Sequence, residues 1–440
     1  MKKSLIFLIL LIFFKINLAF SLKLHLFCNM ENFHHIKASL EIEKIIFQDG
    51  AYQYLVNLKQ KNITSQKNFG QVYLGFVEVP KENLEFTLYL KKVSLNGKEI
   101  EIDPKYKAFK FYLDLTKTKR KILLLFINWN VAYSFKNGKF VPALSYSFGE
   151  KPRVEELLLA LDKENEGLWV IDSALNRVVY FIEVKGKPEY LISNWDRTEA
   201  YVLCSKDKTV KVINSRTLNI ERVFSVSPLN KPEFMDVDKN GNGVIVSQSD
   251  RKIALFDFTK GNILNLQYVE FEPGYICYIP QVQSYFISSS ENAIYVFDDR
   301  LNKIKRLDTP LTPVSIFTDG ERVYISDVNG GISIYSLPSF SFEGRLNVCS
   351  LVLRGLLVRN KIYLTCDDGY IPYFYKGQRN INEFIEGKAS FYALSYSSYK
   401  KWLYAGSDKK NLIAVIDVYN DKIKGYIHLG GPAYEMVALP

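Results

Sequence analysis

Hydrophobic and polar positions alternate in short runs along most of the chain, and one arrangement of runs recurs. From residue 167 onward, a strand-like run closes on a polar residue, a turn follows, and a second run begins, as in GLWVIDSALNRVVYFIEV (167–184) and NLIAVIDVYNDKIKGYIHLGG (411–431). A period of two predicts β-strands with one buried face, and the polar residues between runs predict hairpin turns. The pattern therefore predicts repeated antiparallel β-structure.

The recurring arrangement has a nearly constant spacing. The residues that close the first run of each copy are Asp172, Asn214, Asp257, Asp298, Ser336, Tyr375 and Asp417. Neighbouring positions are 38 to 43 residues apart, close to the roughly 40–45 residues of a four-stranded propeller blade. Seven copies predict an all-β fold with a seven-bladed β-propeller over residues 151–440.

The two ends of the repeat region predict how the ring closes. One strand, residues 156–162, precedes the first copy, and one strand, residues 433–439, follows the last. We expect these strands to pair within the first blade, because closure removes sheet edges that would otherwise aggregate.

Residues 22–150 lack the repeat but keep the alternation. Runs at 36–47, 84–95 and 121–129 are dense, and turn signals such as Asn96-Gly97 separate neighbouring runs. Short strands at this density, without a helical period, predict an N-terminal antiparallel β-sandwich domain.

Residues 1–21, MKKSLIFLILLIFFKINLAFS, have the pattern of a secretory signal peptide. A basic start precedes an apolar run, and Ala19-Phe20-Ser21 provides a small-x-small cleavage site. The run is shorter than the roughly 20 residues that span a membrane, so we expect cleavage after Ser21 or Ala19. A retained anchor is the alternative. Cleavage predicts an exported protein of the periplasm or the extracellular space.

Export also makes disulfides permissible. The chain has five cysteines, none of them in a CxxC pair. Cys349 and Cys366 fall on neighbouring predicted strands of one blade. They either form a disulfide or remain two buried thiols.

The clearest copies share a phrase with a known repeat family. The matching residues are Ala414-Val415-Ile416-Asp417, Asn420, Ile427, Gly430 and Pro432, and Trp169-Val170-Ile171-Asp172, Asn176, Val184 and Pro188. With them, residues 150–440 resemble the YVTN (YncE-like) family of β-propeller repeats, although copies five and six depart at Ser336 and Tyr375. The resemblance implies the architecture. It does not imply one activity, because the family includes binding proteins, lactonase-like enzymes and cofactor handlers.

Composition excludes several functions. The 440 residues include four histidines, and no GxSxG, HExxH or P-loop motif occurs in a suitable context. The formal net charge of +10 comes from Lys interspersed with acidic residues, so nucleic acid is not an expected partner.

We therefore predict a non-enzymatic binding or scaffold protein of the cell envelope, which binds a protein or small molecule at a propeller face. The alternative is a lactonase-like hydrolase or a haem d1-type cofactor-handling propeller. The mouth of the propeller channel distinguishes them. Three or more carboxylates or a His at the mouth would favour the hydrolase or the cofactor handler, whereas mixed polar and aromatic groups would favour a binding protein.

The turns between the second and third strands of each predicted blade carry acidic residues. They are Asp162, Asp207, Asp250, Glu291, Asp327, Asp368 and Asp408. The repeat geometry places them on one face, which predicts an acidic surface for a partner. Solvated turn residues are the alternative.

A second candidate is a calcium loop. Asp236, Asp238 and Asn240 match the opening of the pattern D-x-D-x-N-G, but Ser247 stands where the bidentate Glu is expected. An Asn-Gly hairpin is the alternative, and apart from calcium and the haem d1-type alternative the sequence leaves the cofactor unknown.

Overall fold

The structure, a computed structural model, describes residues 21–33, 35–65 and 68–440. Apart from Ser21, the predicted signal peptide lies outside the described residues. The chain divides into two compact units, one formed by residues up to 150 with 179–183, the other by residues 151–178 with 184–440.

In the first unit, two sheets share one hydrophobic core. One sheet has the strand order β13-β10-β1-β6-β4; in the other, the order is β3-β2-β7-β8, with β5 beside β2 and β9 beside β7. Buried side chains of both sheets, such as Leu24 and Phe86, belong to the same core. The strands are β1 (Ser21–Glu31), β2 (Ala38–Gln48), β3 (Gln53–Leu55), β4 (Asn57–Leu58), β5 (Asn62–Thr64), β6 (Gln71–Pro80), β7 (Asn83–Leu95), β8 (Lys98–Ile100), β9 (Ala108–Asp114), β10 (Ile122–Asn130), β11 (Phe135–Lys136), β12 (Lys139–Phe140) and β13 (Leu144–Phe148), with short 3₁₀ helices at Asn68–Gly70, Pro104–Tyr106 and Ala132–Ser134.

One strand pair of this unit departs from the antiparallel expectation. β1 pairs with β10 in parallel, from Lys23 opposite Ile122 to Glu31 opposite Asn130. β10 is buried along nearly its whole length, as is typical of parallel strands that are covered on both faces. The expectation of a purely antiparallel domain is therefore wrong for this pair.

Residues 151–440, all of which are described, form seven four-stranded antiparallel sheets. Sheets 2 to 7 each contain four consecutive strands, which we call A, B, C and D in chain order. They are β17 (Pro188–Ser193), β18 (Glu199–Cys204), β19 (Thr209–Asn214) and β20 (Ile220–Ser225); β21 (Phe234–Val237), β22 (Asn242–Ser247), β23 (Lys252–Asp257) and β24 (Asn262–Tyr268); β25 (Pro273–Ile279), β26 (Ser284–Ser289), β27 (Ala293–Phe297) and β28 (Lys303–Asp308); β29 (Pro313–Thr318), β30 (Arg322–Asp327), β31 (Gly331–Ser336) and β32 (Phe342–Asn347); β33 (Val352–Val358), β34 (Lys361–Cys366), β35 (Tyr370–Tyr375) and β36 (Glu383–Glu386); and β37 (Ala393–Tyr396), β38 (Trp402–Gly406), β39 (Leu412–Asp417) and β40 (Lys422–His428).

Sheet 1 joins the two ends of this region. Its strands B, C and D are β14 (Leu157–Asp162), β15 (Gly167–Asp172) and β16 (Arg177–Glu183), and its strand A is the C-terminal β41 (Met436–Leu439). Leu157 lies opposite Leu439 and Ala160 opposite Met436. The predicted pairing of the two terminal strands is confirmed.

The A strands contact one another in a cycle, from β17 through β21, β25, β29, β33 and β37 to β41 and back to β17. Strands B and C are buried on both faces, whereas D strands such as β20 and β28 are largely exposed. The A strands therefore enclose a channel, and the D strands form the outer edge. Since neighbouring strands are antiparallel, the A strands begin at the same end of the channel as the B–C turns.

Candidate functional site

The structure separates the seven predicted acidic residues into two groups. Asp162 is buried and accepts hydrogen bonds from the indole N–H of Trp169 (2.9 Å) and the backbone N–H of Asn165 (2.9 Å). Burial raises the pKa of Asp162, although these hydrogen bonds oppose the rise. Asp327 is also buried, accepts the backbone N–H of Asn329 and pairs with Arg345 at 2.7 Å. These two carboxylates stabilise their own turns and are not accessible to a partner.

The other five acidic residues, Asp207, Asp250, Glu291, Asp368 and Asp408, are exposed or half-buried at the B–C turns. Some also have internal partners. Asp207 lies 3.3 Å from the amine of Lys211, and Glu291 accepts the hydroxyl of Tyr295 at 2.9 Å. A partner-binding role for these five stays a prediction.

The predicted calcium loop has the contacts of a hairpin. The Asp238 carboxylate accepts the backbone N–H groups of Asn240 (2.7 Å) and Asn242 (2.9 Å) within the turn. Asp236 instead lies on β21 and accepts the backbone N–H of Tyr278 on β25 at 2.7 Å. The two carboxylates are therefore engaged with different backbone donors.

Cys349 and Cys366 form a disulfide with their Cα atoms 6.4 Å apart. Of the two alternatives left open by the sequence, the bridge is the one present. With Asp368 these cysteines make up the one group of His, Cys, Asp and Glu side chains within metal-binding distance among the described residues. Both sulfurs are already bonded to each other, so this group has no free thiolate to offer.

A small cavity of about 160 Å³ lies at the mouth of the channel, where the A strands begin. Its walls come from sheets 1, 2, 3 and 7. They are Lys163, Glu189, Tyr190, Glu233, Phe234, Gln248, Tyr392, Tyr434 and Glu435. The cavity therefore opens at the end of the channel that carries the acidic B–C turns.

The local sequence explains why these side chains meet. A Pro-Glu-aromatic phrase stands at the start of strand A in sheet 2, at Pro188-Glu189-Tyr190, and leads into strand A of sheet 3, at Pro232-Glu233-Phe234. Equivalent positions in a ring of similar sheets face the same end of the channel. The repeat thus places a carboxylate and an aromatic ring side by side twice.

Each carboxylate of the cavity has a cationic neighbour. Glu189 lies 2.9 Å from the amine of Lys187 and 3.3 Å from that of Lys163, and it accepts the hydroxyl of Ser205. Burial alone would raise the pKa of Glu189, but these partners hold it below its usual value. Glu233 lies 2.7 Å from Lys231.

Glu435 forms a buried ion pair with Arg354 on β33 at 2.5 Å. The guanidinium lies between two aromatic rings, 4.5 Å from the centroid of Tyr275 and 4.4 Å from that of Tyr392, and donates to the Tyr392 hydroxyl at 2.9 Å. Burial opposes the charge on Arg354, yet Glu435 and the surrounding tyrosines raise its pKa. Burial raises the pKa of Glu435, and Arg354 limits that rise.

Two titratable groups lie further along the neighbouring A strands. Burial raises the pKa of Asp236 on β21 to about 6, although hydrogen bonds from Tyr278 and Val237 oppose the shift. Burial also raises the pKa of the Cys277 thiol on β25, and the nearby Asp236 adds to that effect. Cys277 is therefore a poor nucleophile at neutral pH.

Sequence reasoning did not find the cavity. Its residues extend from position 163 to position 435, and the closure of the ring brings them together. The recurring Pro-Glu-aromatic phrase was the available signal.

Solved structures are similar to this chain in fold. A functionally unknown protein from Desulfotomaculum acetoxidans DSM 771 has a TM-score of 0.55 at 12% identity, over 63% of this chain and 98% of that one. For the dihydro-heme d1 dehydrogenase NirN in complex with DHE, the TM-score is 0.51 at 12% identity, over 63% of this chain and 66% of that one. Hydrazine synthase of Kuenenia stuttgartiensis has a TM-score of 0.50 at 13% identity, over 57% and 89%.

The fold is a β-propeller. At these identities the similarity defines the propeller architecture and leaves activity open. No protein-family model matches the sequence, and no curated protein matches it. Within the described residues, the propeller and the unit before it contain no helix of the length and apolarity needed to cross a membrane.

Proposed function

We propose that the protein is an exported binding or scaffold protein of the cell envelope, and that its propeller binds a ligand or a partner's side chain at the channel mouth. The observation that carries this proposal is the lining of the mouth cavity, which contains four aromatic rings together with charged and amide side chains. A concave site that combines aromatic rings with a few placed polar groups is typical of specific binding.

A hydrolase is the weaker alternative. The cavity contains three glutamates, which by number alone would favour chemistry, but Glu189, Glu233 and Glu435 each have a cationic partner within 3.3 Å. A general base needs a free carboxylate or imidazole in reach of its substrate, and no His lines the cavity.

A haem d1-type ligand is a second alternative, favoured by the similarity to a structure described as a dihydro-heme d1 dehydrogenase. The volume of the cavity, about 160 Å³, opposes it. Pockets for drug-sized ligands have roughly 300–1,000 Å³. The cavity fits one small group better than a macrocycle.

The finer architecture is part of the same proposal. Seven four-stranded sheets with A strands in cyclic contact support a seven-bladed ring over residues 151–440. Two sheets around one core support a β-sandwich over residues 22–150. The YVTN-like phrase supports a relationship to that repeat family.

Export is supported by the pattern of residues 1–21 and by the Cys349–Cys366 disulfide, since disulfides persist in oxidising compartments. Cleavage after Ala19 would leave β1 whole, and cleavage after Ser21 would remove its first residue. Mass spectrometry of the exported protein should find one of these two N-termini. An intact Met1 on a membrane-integral product would contradict export by a cleaved signal.

Equilibrium dialysis against a small-molecule extract of the cell envelope tests binding. We expect the wild-type chain to retain at least one compound in stoichiometric amount, detected by mass spectrometry, and Gln248→Lys to lose it. Gln248 lines the cavity from a B–C turn, so the new cation occupies its entrance. The matched control is Gln281→Lys, an exposed position with the same change of charge. Consumption of the compound would favour a hydrolase, and equal retention by all three proteins would contradict a site at the mouth.

A further inference from the structure

We infer that the mouth cavity binds an organic cation, an alkylammonium or guanidinium group. This inference rests on the proposed binding function and names the chemical class of its ligand. Three independent features carry it: the carboxylates, the aromatic rings, and the chain's own cations that already occupy comparable positions.

The carboxylates of the cavity are paired with cations, but one of their oxygens is left without a hydrogen-bond donor. Glu189, Glu233 and Glu435 line the cavity, with Lys163 as the basic residue among its walls. One oxygen of Glu233, Oε2, is buried without a hydrogen-bond partner, while its other oxygen lies 2.7 Å from Lys231. A buried acceptor without a donor costs free energy, and a cationic N–H donor in the cavity would remove that cost.

The aromatic side chains provide the second feature. Tyr190, Phe234, Tyr392 and Tyr434 line the cavity. A cation over the face of such a ring is attracted by its quadrupole, most strongly when water is excluded. A cavity with both aromatic rings and carboxylates in its walls favours a weakly hydrated organic cation over a strongly hydrated one.

Two cationic side chains of the protein itself already contact both an aromatic ring and a carboxylate of the cavity wall. The Lys163 amine lies 5.0 Å from the centroid of Tyr434 and 3.3 Å from Glu189. Arg354 lies between Tyr275 and Tyr392 beside Glu435. Arg354 is buried, but a third of the Lys163 side chain is exposed. Lys163 is therefore an internal competitor that an incoming cation can displace into solvent.

The size of the cavity limits the ligand. At about 30 Å³ per water-sized group, 160 Å³ accommodates roughly five such groups. This matches the butylammonium end of a lysine side chain. The cation is either a small free amine or a side chain of a peptide, and both sources share this chemistry.

Calorimetric titration of the full chain with matched probes tests the inference. The probes are Nα-acetyl-lysine methylamide, its uncharged counterpart Nα-acetyl-norleucine methylamide, and butylammonium. We expect the lysine probe to bind at least about tenfold more tightly than the norleucine probe, because one desolvated cation–π or ionic contact is worth about that factor. Tighter binding of butylammonium than of the lysine probe would identify a free amine as the source, and the reverse order would identify a peptide.

Two variants make the assignment specific. Glu233→Gln should weaken binding of the lysine probe about tenfold, because it removes the negative charge of the carboxylate whose Oε2 has no hydrogen-bond donor. Lys163→Met should strengthen binding severalfold, because it removes the internal competitor and keeps a side chain of similar length. A purely structural role for Lys163 would not produce a gain. Gln281→Lys should leave affinity unchanged.

Equal affinity for the lysine and norleucine probes, or no gain in Lys163→Met, would overturn the inference. The dialysis experiment shows which level has failed. If an envelope compound is retained by the wild type and lost in Gln248→Lys while the cationic probes do not bind, the binding function stands and the ligand class is wrong. If neither binds, both proposals fail.

Discussion

At the scale of single residues, the channel mouth depends on one buried ion pair. The side chains of Arg354 and Glu435 are 9% and 12% exposed, and their charges are compensated by each other and by Tyr392. Removing one partner of a buried pair leaves an uncompensated charge, which costs far more than the loss of a surface pair.

Arg354→Met should therefore lower the free energy of unfolding by about 3–5 kcal/mol. The matched control is Arg306→Met, because Arg306 pairs with Asp308 at 3.0 Å on the surface and its loss should cost less than about 1 kcal/mol. Urea denaturation followed by tryptophan fluorescence measures both. Similar losses in the two variants would show that Arg354 is not in a desolvated pair.

Asp236 makes stability depend on pH. Its pKa rises from 3.8 to about 6 in the folded chain, so the folded state binds the proton more tightly than the unfolded state. The contribution of protonated Asp236 to the free energy of unfolding is fully present below about pH 4. It is lost as the pH rises towards 6, and the loss is at most about 3 kcal/mol.

Asp236→Asn should flatten this dependence. Measured as unfolding temperature against pH, the variant should gain stability relative to the wild type between about pH 4 and pH 6 and show no further gain above. Parallel curves for the two proteins across this range would contradict the raised pKa.

At the scale of elements, alternation predicted strands well and pairing less well. The runs expected at 84–95 and 121–129 are β7 (Asn83–Leu95) and β10 (Ile122–Asn130). β1 was missed because its alternation follows directly on the apolar N-terminal segment. The parallel pairing of β1 with β10 could not be predicted either, since a period of two defines which side chains share a face and says nothing about strand direction.

A repeated core feature also escaped the sequence analysis. Most B strands carry a fully buried tyrosine: Tyr201, Tyr285, Tyr324, Tyr363 and Tyr404. Each hydroxyl has a hydrogen-bond partner; Tyr404, for example, donates to Asn176 at 2.8 Å. Tyrosine at a regular position is a signal of blade packing, but alternation alone does not distinguish it from a half-buried aromatic residue.

The C-terminal strand β41, which completes the first sheet, should contribute as much to stability as any internal strand. Leu439 on β41 is fully buried and lies opposite Leu157, so Leu439→Ala should cost about 2–5 kcal/mol. Leu264→Ala on the outer strand β24, where the side chain is 49% exposed, should cost about 0.5 kcal/mol or less. Calorimetry of both variants checks the difference, and a small loss for Leu439→Ala would argue against closure through β41.

The disulfide should stabilise the sixth blade. Cys349 and Cys366 are 17 residues apart, and closing a loop of this size is worth about 3 kcal/mol by restricting the unfolded chain. Dithiothreitol should therefore lower the unfolding temperature of the wild type and leave that of Cys349→Ala/Cys366→Ala unchanged. An unfolding temperature of the wild type that is insensitive to reductant would contradict a structural bridge.

At the scale of the whole molecule, ring closure creates the candidate site. Lys163 and Glu435 are far apart in sequence, yet both line one cavity because β41 completes the first blade beside β14. The regular spacing of the repeat copies predicts the ring. The side chains that meet at its mouth depend on the register in which the strands pair. A shift of one residue would turn each side chain to the opposite face of its strand, and the spacing of the copies does not define the register to one residue.

The acidic B–C turns surround this mouth and should guide a cation towards it. Steering by exposed carboxylates acts over roughly 8 Å at physiological salt and weakens as salt rises. The five accessible acids are Asp207, Asp250, Glu291, Asp368 and Asp408. We therefore expect replacement of these acids to change the rate of encounter, and replacement of the cavity residues to change affinity.

A crystal structure of the chain soaked with the compound that the wild type retains in dialysis would show where this compound binds. We expect electron density for that compound in the mouth cavity, between Glu189, Glu233 and Tyr434, with the Lys163 amine displaced from Tyr434. Density confined to residues 21–150, or to the opposite end of the channel, would contradict it.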